Sequence, residues 1–233
     1  MRLAKSSIVV FLSSQFGTLF GFIATFYIAS YLGPEVLGGY TIAVGLLYWM
    51  NLPASAINSA IKKRVSEGTD PGEILSAGFL INLALTLPII TGILLFSPTV
   101  EDYLNSPLSV ETAILIVAWA ASSFMSTCLQ GQKRVASASI ITTIGRLART
   151  GFQISLTFFI GFGVAGLIWG HSISLILAAT IALVVNSVRP AWPSKEHFVS
   201  LYEYARYAWL GQISVQAFNW LDTVIMALFV SQV

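Results

Sequence analysis

Seven apolar stretches of about twenty residues or more, separated by short polar connections, occupy most of this 233-residue chain. They run over 6–32, 38–61, 75–98, 112–129, 136–161, 164–186 and 206–230. A bilayer's hydrocarbon core is about 30 Å thick and an α-helix rises 1.5 Å per residue, so about twenty apolar residues cross it. Runs of this length are too long for the core of a soluble domain, and a composition of 56% hydrophobic against 9% charged residues agrees with that reading. Mean hydropathy is +0.80. The expected class is an all-α integral membrane protein, with a six-helix transmembrane bundle followed by a seventh helix.

The net charge of +2 says little, but its distribution is informative. Lys and Arg stand at Arg2 and Lys5, at Lys62-Lys63-Arg64, at Lys133-Arg134, and at Arg189, Lys195 and Arg206. These positions precede the first stretch or follow the second, fourth and sixth. The connections after the first, third and fifth contain neither residue, and the longest of them carries Glu101, Asp102 and Glu111. Basic loops stay in the cytoplasm, so the expected arrangement is a multi-pass plasma-membrane protein with a cytoplasmic N-terminus.

Several other classes are disfavoured. The first apolar run is 27 residues long, well beyond the 7–15 of a signal-peptide core, and is read as a retained span. The single cysteine, Cys128, excludes an internal disulfide and a thiolate metal cluster, and reads as a packing residue. There is no phosphate-cradling glycine loop, no His-Glu-x-x-His and no nucleophile elbow. His171 reads as a packed neutral imidazole in the sixth span, and His197 as a solvated loop residue. No catalytic or metal-ligating residue, cofactor or nucleic-acid partner is expected, and the chain reads as a non-enzyme.

The polar residues inside the apolar stretches carry the functional signal. Ser139, Thr142, Arg146, Arg149, Gln153 and Thr157 recur at intervals of three or four, which places them on one helix face. Asn51, Ser55, Asn58 and Lys62 do the same in the second stretch, with Pro53 among them as an expected kink. Gln212, Gln216, Asn219 and Thr223 form a third stripe beside Asp222, and Gln15, Thr18 and Thr25 a weaker one. Hydroxyls and amides alone read as glue between helices, commonly worth about 0.6 kcal/mol each. Stripes with a charge are different: an arginine at mid-bilayer costs roughly 2.5–3.5 kcal/mol and needs protein, water or an anion beside it.

Counted by helical rise from residue 136, Arg146 lies roughly 15 Å and Arg149 roughly 20 Å along the fifth span. In a tighter register Arg146 reaches the interface by snorkelling, while Arg149 stays within hydrocarbon. A guanidinium pair facing a wet cavity suits phosphate or carboxylate, because its planar fork donates paired hydrogen bonds. Candidate substrate-binding residues are therefore Arg146, Arg149, Gln153, Asn51 and Asn58. Asp222 is a candidate ion-pair partner for an arginine, or a coupling site for a proton or sodium gradient.

Short motifs then connect the chain to a family. Gln15-Phe16-Gly17, the run Ile28-Ala29-Ser30-Tyr31-Leu32-Gly33-Pro34-Glu35 and Gly38-Gly39-Tyr40 resemble the first helix and loop of polysaccharide-biosynthesis flippases. Ser30 stands where that family often has arginine. Leu129-Gln130-Gly131-Gln132-Lys133 is similar to the family's ending of span four, and Asn219-Trp220-Leu221-Asp222 to its entry into span seven. These flippases belong to the multidrug/oligosaccharidyl-lipid/polysaccharide (MOP) exporter superfamily. The resemblance implies two six-helix bundles around an alternating cavity and a cargo of oligosaccharide on a polyprenyl diphosphate, moved from the inner to the outer leaflet. It implies that 1–186 is the first bundle, 187–205 a cytoplasmic linker, and 206–233 the first helix of a truncated second bundle. The partners expected are the lipid-linked oligosaccharide and membrane lipids.

Three alternatives compete. A related multidrug or cation antiporter would favour acidic cavity residues, against the arginine pair. A retinal protein would need a lysine in 206–230, and there is none. A non-transporting, truncated membrane protein is the third possibility that the sequence leaves open.

Overall fold

Helix α1, Arg2–Leu32, ends where Gly33 takes φ +84° and ψ 163°, a backbone region that only glycine enters freely. Pro34 opens α2 (Pro34–Met50) at a position where a missing N–H costs nothing. The computed structural model describes residues 2–68 and 70–230, and all regular structure among them is helical. The other helices are α3 (Leu52–Glu67), α4 (Pro71–Leu95), α5 (Ser97–Leu104), α6 (Ser109–Gly131), α7 (Val135–Ile154), α8 (Gly163–Val185) and α9 (Lys195–Val230). A π-helical turn, Ser155–Phe159, continues α7.

The second apolar stretch is not one kinked helix but two, α2 and α3, broken at Asn51 (φ −88°, ψ 6°). Pro53 supplies the reason: it has no N–H to offer, and its ring crowds the carbonyl one turn earlier. Asn51 closes the end of α2 by donating both its backbone N–H and its side-chain Nδ2 to Leu47 O, each at 3.0 Å. The expected boundary between 205 and 206 also differs, because α9 begins at Lys195 and runs through it without a break. Leu201 and Ala205 are buried against α3 and α4, and that burial extends the helix into the expected linker. Only 186–194 is non-helical between α8 and α9.

Among the described residues, four helical segments are long and apolar enough to cross a bilayer: Val10–Leu32, Pro71–Leu95, Ser109–Gly131 and Gly163–Val185. The sequence reading of six spans and a seventh is broader than this. The α2–α3 pair is interrupted, and α7 carries two arginines.

The basic loops gather at one end of the bundle. Arg134 Nη1 donates to Val185 O, Gln132 Nε2 to Asn186 Oδ1, and Ala191 N to Gly72 O. These bonds tie the α6–α7 turn, the end of α8 and the start of α4 together. One core cluster lies near this end, formed by Ile57, Ile61, Leu75, Phe124 and Leu201 among others. A second, including Leu47, Ile93, Leu104, Leu115, Ile116 and Ile168, lies towards the acidic α4–α6 connection. Outward, α1 exposes Phe11, Phe16, Phe22 and Phe26, and α4 exposes Phe79, Leu83 and Leu87. In a multi-pass membrane protein such faces meet lipid at no hydrophobic cost.

Candidate functional site: a polar cavity with two arginines

The α7 stripe divides at Arg149. Beyond it the polar face is closed against α8: Gln153 and Thr157 are buried, and Gln153 Nε2 donates to Leu167 O at 2.9 Å. Gly170 permits this approach, since a Cβ there would stand 2.6 Å from Gln153 N. Before Arg149 the face opens into a cavity of about 280 Å³ between α6, α7 and α8. Arg146 and Arg149 line it opposite the hydroxyls of Ser122, Ser123, Ser126 and Thr127, with Gln130, Thr142 and His171 completing the polar wall. Tyr48 of α2 and Trp119 of α6 also face it. An adjoining cavity of about 290 Å³ shares Gln130, Thr142 and Arg146 and extends to Val135 and to Val10 of α1. The two together form a polar path from the start of α7 to Arg149, about 21 Å along the helix by its rise.

Each arginine is set by a neighbouring helix. Arg146 lies in a notch on α1 where a Cβ on Gly17 would be 2.8 Å from both its Cδ and its Nη1. Arg149 Nη2 is 4.0 Å from the corresponding point on Gly21. Tyr40 of α2 comes near Arg149 and Gln153. Among the described residues the ion pairs are Lys63–Glu67, Arg64–Glu67 and His197–Glu73, so neither arginine is neutralised there. The side chain of Asp222 lies outside the described residues.

The other expected site residues are not on the cavity wall. Asn51 is fully buried at the α2–α3 break. Asn58 donates from Nδ2 to Ser123 Oγ at 3.0 Å and accepts from Asn82 Nδ2 at 3.2 Å, standing one layer behind the serine that lines the cavity. Gln153 lies in the α7–α8 seam. Gln212 of α9 donates to Ser59 Oγ at 3.4 Å, as helix glue would. Several residues escaped the sequence reading: Tyr40, the α6 hydroxyls, and Gly17 and Gly21. The Gly-x-x-x-Gly spacing was the available signal, since Ala24 and Ile28 extend the same buried face of α1.

A larger cavity of about 540 Å³ lies on the other face of α6, against Phe79, Phe124, Leu183 and Trp192. No charged side chain lines it, so it offers an anion nothing.

Helices packed around a membrane-embedded cationic cavity define a transporter-like bundle, and comparison with known proteins agrees. The chain belongs to the polysaccharide biosynthesis protein family, whose profile it matches over residues 3–233. It is 27% identical over 232 residues to the probable flippase AglR of Haloferax volcanii, covering 99% of this chain and 48% of that protein. It is 28% identical over 233 residues to the probable low-salt glycan biosynthesis flippase Agl15 of the same organism, covering 49% of it. The chain thus spans about half the length of these relatives. Its fold is similar to that of a MATE transporter crystallised with Br-NRF (TM-score 0.69, 19% identity, 90% of this chain and 53% of that one). It is also similar to a MOP superfamily transporter from Pyrococcus furiosus (TM-score 0.64, 16% identity, 91% and 52%).

The notch on α1 yields a prediction. Gly17→Ala puts a methyl group against the flexible outer atoms of Arg146, so the guanidinium moves and the helices stay. The stability change is expected to stay below about 1 kcal/mol, under the range for overpacking a rigid core. Immunoblotting and thermal unfolding of the purified variant check that the protein remains folded.

Proposed function

We propose that this chain forms part of a flippase that carries a polyprenyl-diphosphate-linked oligosaccharide from the inner to the outer leaflet during surface glycan assembly. The observation that supports this most strongly is the cavity itself. Arg146 and Arg149 stand deep along α7, with no acid on the cavity wall among the described residues and hydroxyl and amide groups facing them. Two unneutralised guanidinium groups in a low-dielectric site favour an anion that accepts several hydrogen bonds, as a diphosphate does. Both Haloferax relatives carry flippase in their names, and one of them glycan biosynthesis. In this reading the basic loops face the cytoplasm, as does the N-terminus. The polar path then opens inward, on the side where the cargo is made. A multidrug or cation antiporter accounts less well for a cavity whose charges are all positive.

Translocation is expected when the intact protein is reconstituted in liposomes that carry a fluorescent lipid-linked oligosaccharide, read by quenching of the outer leaflet. No translocation above protein-free liposomes would overturn the assignment. Asp222 is assigned to coupling: Asp222→Asn is expected to remove any response of the rate to an imposed proton or sodium gradient. A response that persists would leave Asp222 as a structural partner only.

A further inference from the structure

His171 stands on α8 at the wall of the cavity, 5% exposed, and its Nδ1 is 2.9 Å from the hydroxyl of Tyr40 on α2. The protons in this contact can be assigned by counting donors. Among the described residues, the hydrogen bond of the Tyr40 hydroxyl is the one to His171 Nδ1. The guanidinium of Arg149, near the same hydroxyl, can only donate and so cannot take the phenol proton. A phenol has a single proton, and Nδ1 of His171 is the partner left to take it. Tyr40 O–H therefore donates to Nδ1, and the imidazole hydrogen sits on Nε2, across the ring from Tyr40. One tyrosine beside Arg149 thus sets the histidine tautomer.

We propose that His171 is a third donor of the anion site, offering Nε2–H beside Arg149 and Arg146, and that Tyr40 is the positioning residue that fixes this state. The proposal rests on the reading of the cavity as a diphosphate site and adds the donor that neither arginine supplies. A neutral N–H gives direction to the bound oxyanion without placing another charge in the membrane, where each added cation is costly. It also explains why a histidine rather than an apolar residue faces two arginines: an acceptor-free side chain there would leave the Tyr40 proton unpaired in a buried place.

Two substitutions separate the ring nitrogens. His171→Gln carries its amide nitrogen close to where Nε2 stood, and His171→Asn close to where Nδ1 stood. Inorganic diphosphate is titrated into the purified full-length protein by calorimetry, and thermal unfolding of each variant reports on folding. A hydrogen bond to a charged group is worth about 1.5–3 kcal/mol, which is roughly ten- to a hundredfold in Kd. His171→Asn is expected to weaken diphosphate binding by at least about tenfold. His171→Gln should stay within about threefold of the native protein, and Tyr40→Phe should behave like His171→Asn while remaining folded. Native affinity in His171→Asn, equal losses in the Asn and Gln variants, or no diphosphate binding by the native protein would each overturn the proposal. The two readings fail separately. A His171 effect on diphosphate without translocation of lipid-linked oligosaccharide leaves the anion site and removes the flippase. Translocation that depends on Arg149 but is indifferent to His171→Asn does the reverse.

Discussion

Arg149→Ala is expected to reduce surface glycan at least tenfold in cells that carry the change in the chromosomal gene, with protein abundance in the membrane maintained. The magnitude follows from the bond that is lost. A charged, paired hydrogen bond to an oxyanion contributes about 1.5–3 kcal/mol, and each 1.4 kcal/mol is a factor of ten. Stability should hold, because Arg149 is half-buried at a cavity wall and has no acidic partner among the described residues. Arg149→Lys keeps the charge and loses the fork, so an intermediate defect is expected. Arg146→Ala should act in the same direction with a smaller effect, since Arg146 lies a turn nearer the open end of the path and rests against α1 at Gly17. Wild-type glycan in Arg149→Ala at normal abundance would overturn the proposed role of the arginine.

Gly170→Ala should be the most destabilising small substitution in the α7–α8 seam. The added methyl carbon would lie 2.6 Å from Gln153 N and 2.8 Å from its Cα. These are backbone atoms of a neighbouring helix, so no rotamer change relieves the contact and the helices must separate. Overpacking of this kind costs typically about 1–3 kcal/mol. Separation also stretches the Gln153-to-Leu167 bond, leaving a buried amide short of a partner. Gly92 in α4 is the control, because nothing lies within 4 Å of a Cβ built there. Alanine at that position removes a flexible residue from a helix and is expected to be neutral or stabilising by up to about 1 kcal/mol. Thermal unfolding of the purified variants, followed by fluorescence-detected size exclusion, should give opposite signs. A Gly170→Ala protein as stable as Gly92→Ala would show that the seam yields more easily than its geometry implies.

Much of the architecture was legible before any coordinates. Apolar length placed α1, α4, α6 and α8 in the membrane, because only a helix of about twenty apolar residues fits a 30 Å slab. Pro53 announced a disturbance in the second stretch, although a kink was expected and a full break was found. The boundary near 205 was less legible: the expected linker read as irregular from its prolines and mixed charge. The burial of Leu201 and Ala205 against α3 and α4, which carries α9 back to Lys195, is a long-range effect with no local signature.

The arginine stripe shows the same division. Its spacing alone put six polar residues on one face of α7, since residues three and four apart share a helix face whatever surrounds them. Which of them face open space depended on the neighbours. α8 closes over Gln153 and Thr157, α6 stands off from Thr142, Arg146 and Arg149, and glycines on α1 receive the two guanidinium groups. Asn51 and Asn58 looked equivalent to the arginines as polar residues in an apolar run, yet packing turned one into a helix end and the other into a support behind Ser123. His171 moved the other way, from expected packing residue to cavity wall, because its partner Tyr40 lies 131 positions earlier in the chain. The sequence alone determined the membrane class, the alternation of charge and the faces of the helices, all of which are local or periodic properties. The tertiary structure decided which faces are sealed and which stay open, because a cavity exists only where neighbouring helices fail to touch.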